Sequence, residues 1–189
     1  MTLLDLVKRR FARPPEPVRA AVDATPDADE RVLAWGSLVR DEGWLVATTR
    51  GLRVVNTVGG EAVALLPWHE VGHARWAATA DGGGSFTITP LTEVEPGVQA
   101  RLAPRRHALN DPGLLPQEVR RRVDRTVVTS QRFPLPDRGS VVLVARRLPG
   151  QAAKEWTVVF DDDVDRGDPV AREEARRRLA AALAAEQPD

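Results

Sequence analysis

The chain has 189 residues, of which 42% are apolar, and its 27 basic side chains balance 27 acidic ones. This length predicts one domain of moderate size, or a small domain with an appended arm, and the apolar content excludes wholesale disorder. The zero net charge disfavours a dedicated nucleic-acid-binding protein, and the lack of cysteine excludes disulfides, Fe–S clusters and a thiol nucleophile.

An N-terminal arm, residues 1–30, precedes the predicted domain. Apolar residues at helical spacing predict a short amphipathic helix over residues 2–11, and residues 14–30, rich in proline and aspartate, are typical of a linker. The helical residues are Leu3, Leu4, Val7 and Phe11. Because residues 1–13 carry four bases and one acid, the helix either makes peripheral contact with an anionic membrane or docks on its own domain or a partner.

No segment of the sequence predicts a membrane span, since no apolar stretch approaches the ~20 residues that a helix needs to cross a bilayer. A signal peptide carries its basic residues before its apolar run, whereas here they follow it. We therefore expect a cytoplasmic protein without a transmembrane segment.

From residue 31 onwards the chain contains short β-rich segments that are separated by turn residues. The segments are residues 32–39, 44–49, 52–57, 62–68, 74–80 and 85–89. Strands in this arrangement predict an antiparallel meander, which must curl or be covered to hide its apolar face.

The middle of the chain is strongly basic: residues 101–147 hold eleven arginines and four acids. Pro116 fits the first position of a helix that runs to about Thr126. Two further strands follow at residues 141–147 and 155–160. Asp168 then caps a C-terminal amphipathic helix that runs to about residue 186.

This order of elements resembles a pleckstrin-homology-like (PH-like) split barrel, in which a C-terminal helix closes one open end. Residues 44–55 (WLVATTRGLRVV) and 66–76 (LPWHEVGHARW) resemble a hairpin and a connecting stretch of bacterial PH-like and GRAM-like domains. The whole chain is also similar to small actinobacterial proteins of uncharacterised function. The resemblance implies an α+β fold over residues 31–187, an antiparallel PH-like split β-barrel closed by a C-terminal amphipathic helix. A basic helical insert occupies about residues 98–139.

Residues 69–73 read HEVGH, a literal HExxH. In zinc peptidases a helix places the two histidines on one face, where they bind one Zn²⁺ while the glutamate handles the proton of the attacking water. Pro67 before the motif and Gly72 within it favour an extended segment, in which four residues span about 13 Å. Two interpretations stay open: a strand end with two surface histidines, or a small zinc-dependent hydrolase. The hydrolase would use His69, Glu70 and His73.

The basic helix is the best candidate for a partner-binding surface. Its arginines lie outside the apolar face, and they are Arg120, Arg121, Arg122 and Arg125. Guanidinium groups bind anionic headgroups and acidic protein surfaces, whereas nucleic acid is disfavoured because no aromatic residues alternate with these arginines. The alternative is a solvated face, or neutralisation by residues 155–174, which hold eight acids and two arginines.

These features together predict a non-catalytic binding or adaptor module without a cofactor, whose partner is a protein or an anionic headgroup. Two alternatives remain. One is the zinc-dependent hydrolase, and the other is a structural subunit of a larger assembly that uses the N-terminal helix and the basic insert as oligomerisation arms.

Overall fold

The structure is a computed structural model of the chain. It describes residues 13–39, 43–56, 64–136, 139–148, 153–165 and 167–186. The helix predicted over residues 2–11 lies outside the described residues, and so does nearly all of the membrane-contacting segment predicted at residues 1–13.

Three α-helices and eleven β-strands make up the described part of the chain. The helices are α1 (Glu16–Asp23), α2 (Leu115–Thr126) and α3 (Pro169–Glu186). The strands are β1 (Val32–Leu38), β2 (Gly43–Thr48), β3 (Gly51–Asn56), β4 (Leu65–Pro67), β5 (Val71–Ala78), β6 (Gly84–Glu95), β7 (Val98–Arg101), β8 (Arg105–Asp111), β9 (Val127–Pro134), β10 (Ser140–Arg147) and β11 (Lys154–Phe160). A 3₁₀ turn, Trp68–Glu70, joins β4 to β5. None of the helices within the described residues is long and apolar enough to cross a membrane.

The strands form one sheet in which β6 is shared between two halves. The pairing order is β4-β3-β2-β1-β8-β6-β7-β11-β10-β9, and β5 pairs with β6 outside this path. Residues 84–90 of β6 pair with β5, and residues 91–95 pair with β7. Pro90, which has no N–H to donate, lies where the partner strand changes. We call β7, β9, β10, β11 and residues 91–95 the C-terminal half-sheet, and the other strands with residues 84–90 the N-terminal half-sheet.

The sheet is not closed into a barrel, so the predicted closed split barrel is wrong. Strands β4 and β9 stand at opposite ends of the pairing order. Helices hide the apolar faces instead, which removes the need for closure: α2 packs on the N-terminal half-sheet and α3 on the C-terminal half-sheet. The coarser prediction, a mixed α and β fold with a mostly antiparallel sheet and a C-terminal helix, is confirmed.

The stretch predicted as a linker contains helix α1. Pro15 and Pro17 lie at the start of this helix, where a missing N–H costs no helical hydrogen bond. Val18 is fully buried and packs with Val46 of β2 and Val55 of β3. Helix α1 therefore covers part of the N-terminal half-sheet on the face opposite α2.

The segment predicted as a basic helical insert, residues 98–139, contributes three strands as well as α2. Strand β8 lies between β1 and β6, and β7 and β9 belong to the C-terminal half-sheet. Two buried residues of α2, Leu115 and Val119, pack on Phe86 and Leu109 of the sheet. This segment is thus built into the sheet and its main core.

Candidate functional site

A polar pocket of about 180 Å³ lies on the face of the C-terminal half-sheet that α3 leaves uncovered. The 3₁₀ turn Trp68–Glu70 supplies part of one wall, and strands β6, β7, β10 and β11 supply side chains to the rest. The pocket therefore lies where the connection from β4 to β5 faces the C-terminal half-sheet.

Strand register explains why polar side chains converge here. Arg146 of β10 pairs with Glu155 of β11, and Gln99 of β7 pairs with Glu93 of β6. Directly paired residues point to the same face of a sheet, and side chains alternate along each strand, so Thr157 lies on the same face as Glu155. A small apolar cluster, Leu91, Val144 and Val159, is buried on this face.

Arg146 carries a buried positive charge without a carboxylate partner in the described part of the chain. The residue is 6% exposed. Its Nη1 donates one long hydrogen bond, 3.4 Å, to Oγ1 of Thr126 at the C-terminal end of α2, and its Nε has no hydrogen-bond partner among the described residues. Burial lowers the pKa of Arg146 below its ordinary value, since loss of hydration disfavours the charged form. The negative end of the α2 dipole compensates only part of this charge.

Three further buried polar atoms at the pocket have no hydrogen-bond partner within the described residues: Oε1 of Gln99, Oγ1 of Thr157 and Nδ1 of His69. Gln99 is 9% exposed and Thr157 is 5% exposed. The amide oxygen accepts hydrogen bonds, and the hydroxyl group both donates and accepts. Because each unpaired buried polar group costs about 1–3 kcal/mol, their convergence on one cavity is typical of a ligand site.

Carboxylates line the same pocket: those of Glu70, Glu93 and Glu155. Glu93 Oε1 accepts a hydrogen bond of 2.7 Å from the backbone N–H of Gly97 in the turn between β6 and β7. Oε1 of Glu70 lies 3.8 Å from Nε2 of His69. The pocket thus combines one buried cation with several carboxylates at its more exposed positions.

The HEVGH motif does not lie on one α-helix. His69 and Glu70 belong to the 3₁₀ turn, whereas His73 is exposed on β5. The two histidines therefore do not share the helical face that the zinc-peptidase geometry needs. Within the described ranges, no group of three or more histidine, aspartate or glutamate side chains is arranged to hold a metal ion.

The arginines predicted as a binding surface lie on α2, and acids of the same helix pair with three of them. Glu118 binds Arg121 and, at 2.9 Å, Arg122, while Arg120 Nε lies 3.7 Å from Asp124 Oδ2. Burial alone would raise the pKa of Glu118, but hydrogen bonds from the two arginines outweigh it and hold that pKa below its usual value. Arg125 is exposed on the same helix. Partner binding by this face stays a prediction.

The sequence motifs predict a role for His69 and Glu70 of the pocket, in a different chemistry, and they miss Arg146. One signal could have pointed to Arg146. Residues 141–145 are apolar at successive positions, which is typical of a strand buried on both faces, so an arginine directly after them is expected to be buried.

Comparisons of this chain with protein-family models, with curated proteins and with solved structures found no match. The resemblance to PH-like and GRAM-like domains therefore stays a prediction, and the function has to be argued from the pocket itself.

Proposed function

We propose that this protein is a non-catalytic binding module, that its ligand site is the pocket at Arg146, and that Arg146 binds an anionic group of the ligand. The observation that carries the proposal is the buried guanidinium with an unpaired Nε and no carboxylate partner among the described residues. A guanidinium group presents parallel N–H donors that match carboxylate and phosphate oxygens. A ligand oxygen would supply both the missing hydrogen bond and the missing charge.

A purely structural role explains Arg146 poorly. An apolar side chain of similar length would fill the same space without the cost of burying an uncompensated charge. Binding sites commonly retain such a cost, because the polar groups that bind a ligand lack hydrogen-bond partners when the ligand is absent. The volume of about 180 Å³ is below the ~300 Å³ at which drug-sized pockets begin. It suits a small molecule, or one end of a larger one.

The test is thermal unfolding of the full chain at low ionic strength, with increasing acetate, sulfate or inorganic phosphate and with sodium chloride as the ionic-strength control. We expect the melting temperature to rise with at least one of the three anions beyond the chloride control, because a ligand that binds only the folded state stabilises it. The variant Arg146→Met is expected to melt at or above the temperature of the unsubstituted protein without ligand, and to lose the response to that anion.

Arg147→Met is the matched control, because Arg147 is the next residue of β10 and is exposed. It should keep the response to the anion. No response of the unsubstituted protein to any of the three anions, a response that persists in Arg146→Met, or an Arg146→Met protein that melts far below the unsubstituted protein would contradict the proposal.

The zinc-dependent hydrolase predicted from residues 69–73 is tested separately. Elemental analysis of the purified protein, beside a His69→Ala variant, measures whether the motif holds a metal. One zinc per chain that the variant loses would contradict a non-catalytic module.

A further inference from the structure

The pocket keeps its positive and negative groups apart. Arg146 supplies one positive charge, and Glu70, Glu93 and Glu155 supply three carboxylates, so these residues carry a net negative charge of two. Glu155 is the direct cross-strand partner of Arg146, yet it is exposed and makes no ion pair with the buried guanidinium in the described part of the chain.

The two carboxylates on the sheet, those of Glu93 and Glu155, also lack a cationic partner in the part of the chain that the structure describes. No lysine or arginine among the described residues lies within 4.0 Å of Glu93 or Glu155. Glu95, two residues beyond Glu93 on β6, does have cationic partners: its carboxylate oxygens lie 3.3 Å from Arg172 and 3.0 Å from Arg176. A pocket that holds a buried cation and, separate from it, carboxylates without a cationic partner among the described residues is suited to a ligand that carries both charges.

We infer that the ligand is bipolar, with an anionic group at Arg146 and an ammonium group facing Glu93 and Glu155, so that its chemical class is a small amino carboxylate. This inference rests on the proposed function. A purely anionic ligand would be repelled by the carboxylates, and a purely cationic ligand would leave Arg146 uncompensated. Gln99 Oε1 is an acceptor that an ammonium N–H can satisfy, which adds a polar contact to the two charge contacts.

The experiment is isothermal titration calorimetry of the full chain at low ionic strength with matched sets of probes. The first set is glycine, β-alanine, 4-aminobutyrate and 5-aminopentanoate, which separates the two charges by increasing lengths. The second set is the corresponding carboxylates without the amino group, and the third is butylamine. We expect at least one amino carboxylate to bind about tenfold more tightly than its partner without the amino group, because the ammonium group adds charge-assisted hydrogen bonds that a methyl group cannot make.

Variants assign the two ends of the ligand. Arg146→Met should abolish binding of every carboxylate, with or without an amino group. The double variant Glu93→Gln/Glu155→Gln should keep carboxylate binding and remove the advantage of the amino group. The double variant Glu16→Gln/Glu173→Gln is the control of equal charge change, since both residues are exposed, lie on α1 and α3 and do not line the pocket, and it should leave both results unchanged.

The outcomes separate the inference from the proposed function. Equal affinity for carboxylates with and without the amino group, lost in Arg146→Met, would overturn the inference and keep the proposed function. Butylamine binding as tightly as 4-aminobutyrate would also overturn the inference. Absence of binding by every carboxylate would overturn the inference, and it would overturn the proposed function as well if sulfate and phosphate also leave the melting temperature unchanged.

Discussion

Glu30 and Arg53 form a buried two-point ion pair that ties the segment before β1 to strand β3. Arg53 Nε donates to Glu30 Oε1 at 2.8 Å, and its Nη2 donates to Oε2 at 2.7 Å. Thr48 Oγ1 donates a further hydrogen bond of 2.6 Å to the same carboxylate. The fold therefore contains two buried arginines with opposite surroundings, because Arg53 has a carboxylate partner and Arg146 has none among the described residues.

We expect Glu30→Gln to lower the free energy of unfolding by about 3 kcal/mol, because removal of one partner leaves the charge of Arg53 buried and uncompensated. Chemical denaturation monitored by tryptophan fluorescence measures the loss. The double variant Glu30→Leu/Arg53→Met should lose less, since it removes both charges. A double variant that is less stable than the single one would contradict this account.

Glu30 should also make stability depend on pH. Burial alone would raise its pKa, but hydrogen bonds from Arg53 and Thr48 outweigh it and hold the pKa below the ordinary value of 4.5. A carboxyl group with a depressed pKa contributes its full stability above its unfolded-state pKa and loses that contribution as the pH falls through its folded-state pKa. Between about pH 5 and about pH 3, the free energy of unfolding should fall more steeply for the unsubstituted protein than for Glu30→Gln. Parallel curves would exclude Glu30 as a source of acid sensitivity.

Asp168 caps α3, and its removal should weaken the helix. Asp168 Oδ1 accepts a hydrogen bond of 3.0 Å from the N–H of Val170, and Oδ2 accepts one of 3.4 Å from the N–H of Ala171. Asp168→Ala is expected to cost about 1 kcal/mol of unfolding free energy. Asp168→Asn keeps an accepting oxygen and loses the charge that favours a helix N-terminus, so its stability should lie between the other two. If the asparagine and alanine variants are equally stable, the hydrogen bonds contribute nothing.

Helix α1 should contribute to global stability as part of the core. Val18→Ala removes two methyl groups from a fully buried position, and we expect a loss of about 2 kcal/mol, from lost burial and from the cavity left behind. The neighbouring Arg19 is exposed, and its side chain binds Glu16 of the same helix, so Arg19→Ala should change stability by less than about 0.5 kcal/mol. Equal effects in denaturant titrations would show that α1 does not pack as the structure describes.

The sequence predicts those elements whose signals are local. Helix α3 begins at Pro169, directly after the predicted Asp168 cap, and α2 lies within one residue of its predicted bounds. Elements that depend on distant partners were missed. Strand β9 is almost entirely exposed and lacks the alternation of buried and exposed residues that marks a half-buried strand. Its pairing with β10 holds it in the sheet. Pro90 favours a strand end when only the local sequence is considered. Strand β6 nevertheless continues through Pro90, because its partner changes there from β5 to β7.

The pocket is harder to predict than the fold because no contiguous segment contains it. Its polar atoms come from the 3₁₀ turn and from four strands, and only strand register brings Gln99, Arg146 and Thr157 to one face. The HEVGH motif predicts metal chemistry for His69, whereas the structure places His69 in the lining of the pocket that also contains Arg146. Composition gave no help, since arginines are frequent along residues 101–147.

The parallel pairing of β7 with β11 joins Val98 and Gln99 to Val158 and Val159, and this has a consequence for synthesis of the chain. Strands β6 and β7 leave the ribosome long before β11 does. The edge of β7 that pairs with β11 therefore stays without its partner strand until β11 has been translated. The N-terminal half-sheet can pair its strands and cover them with α1 and α2 in the meantime. The pocket can therefore form only after β10 and β11 have been synthesised, and a nascent chain that ends before residue 154 would lack it.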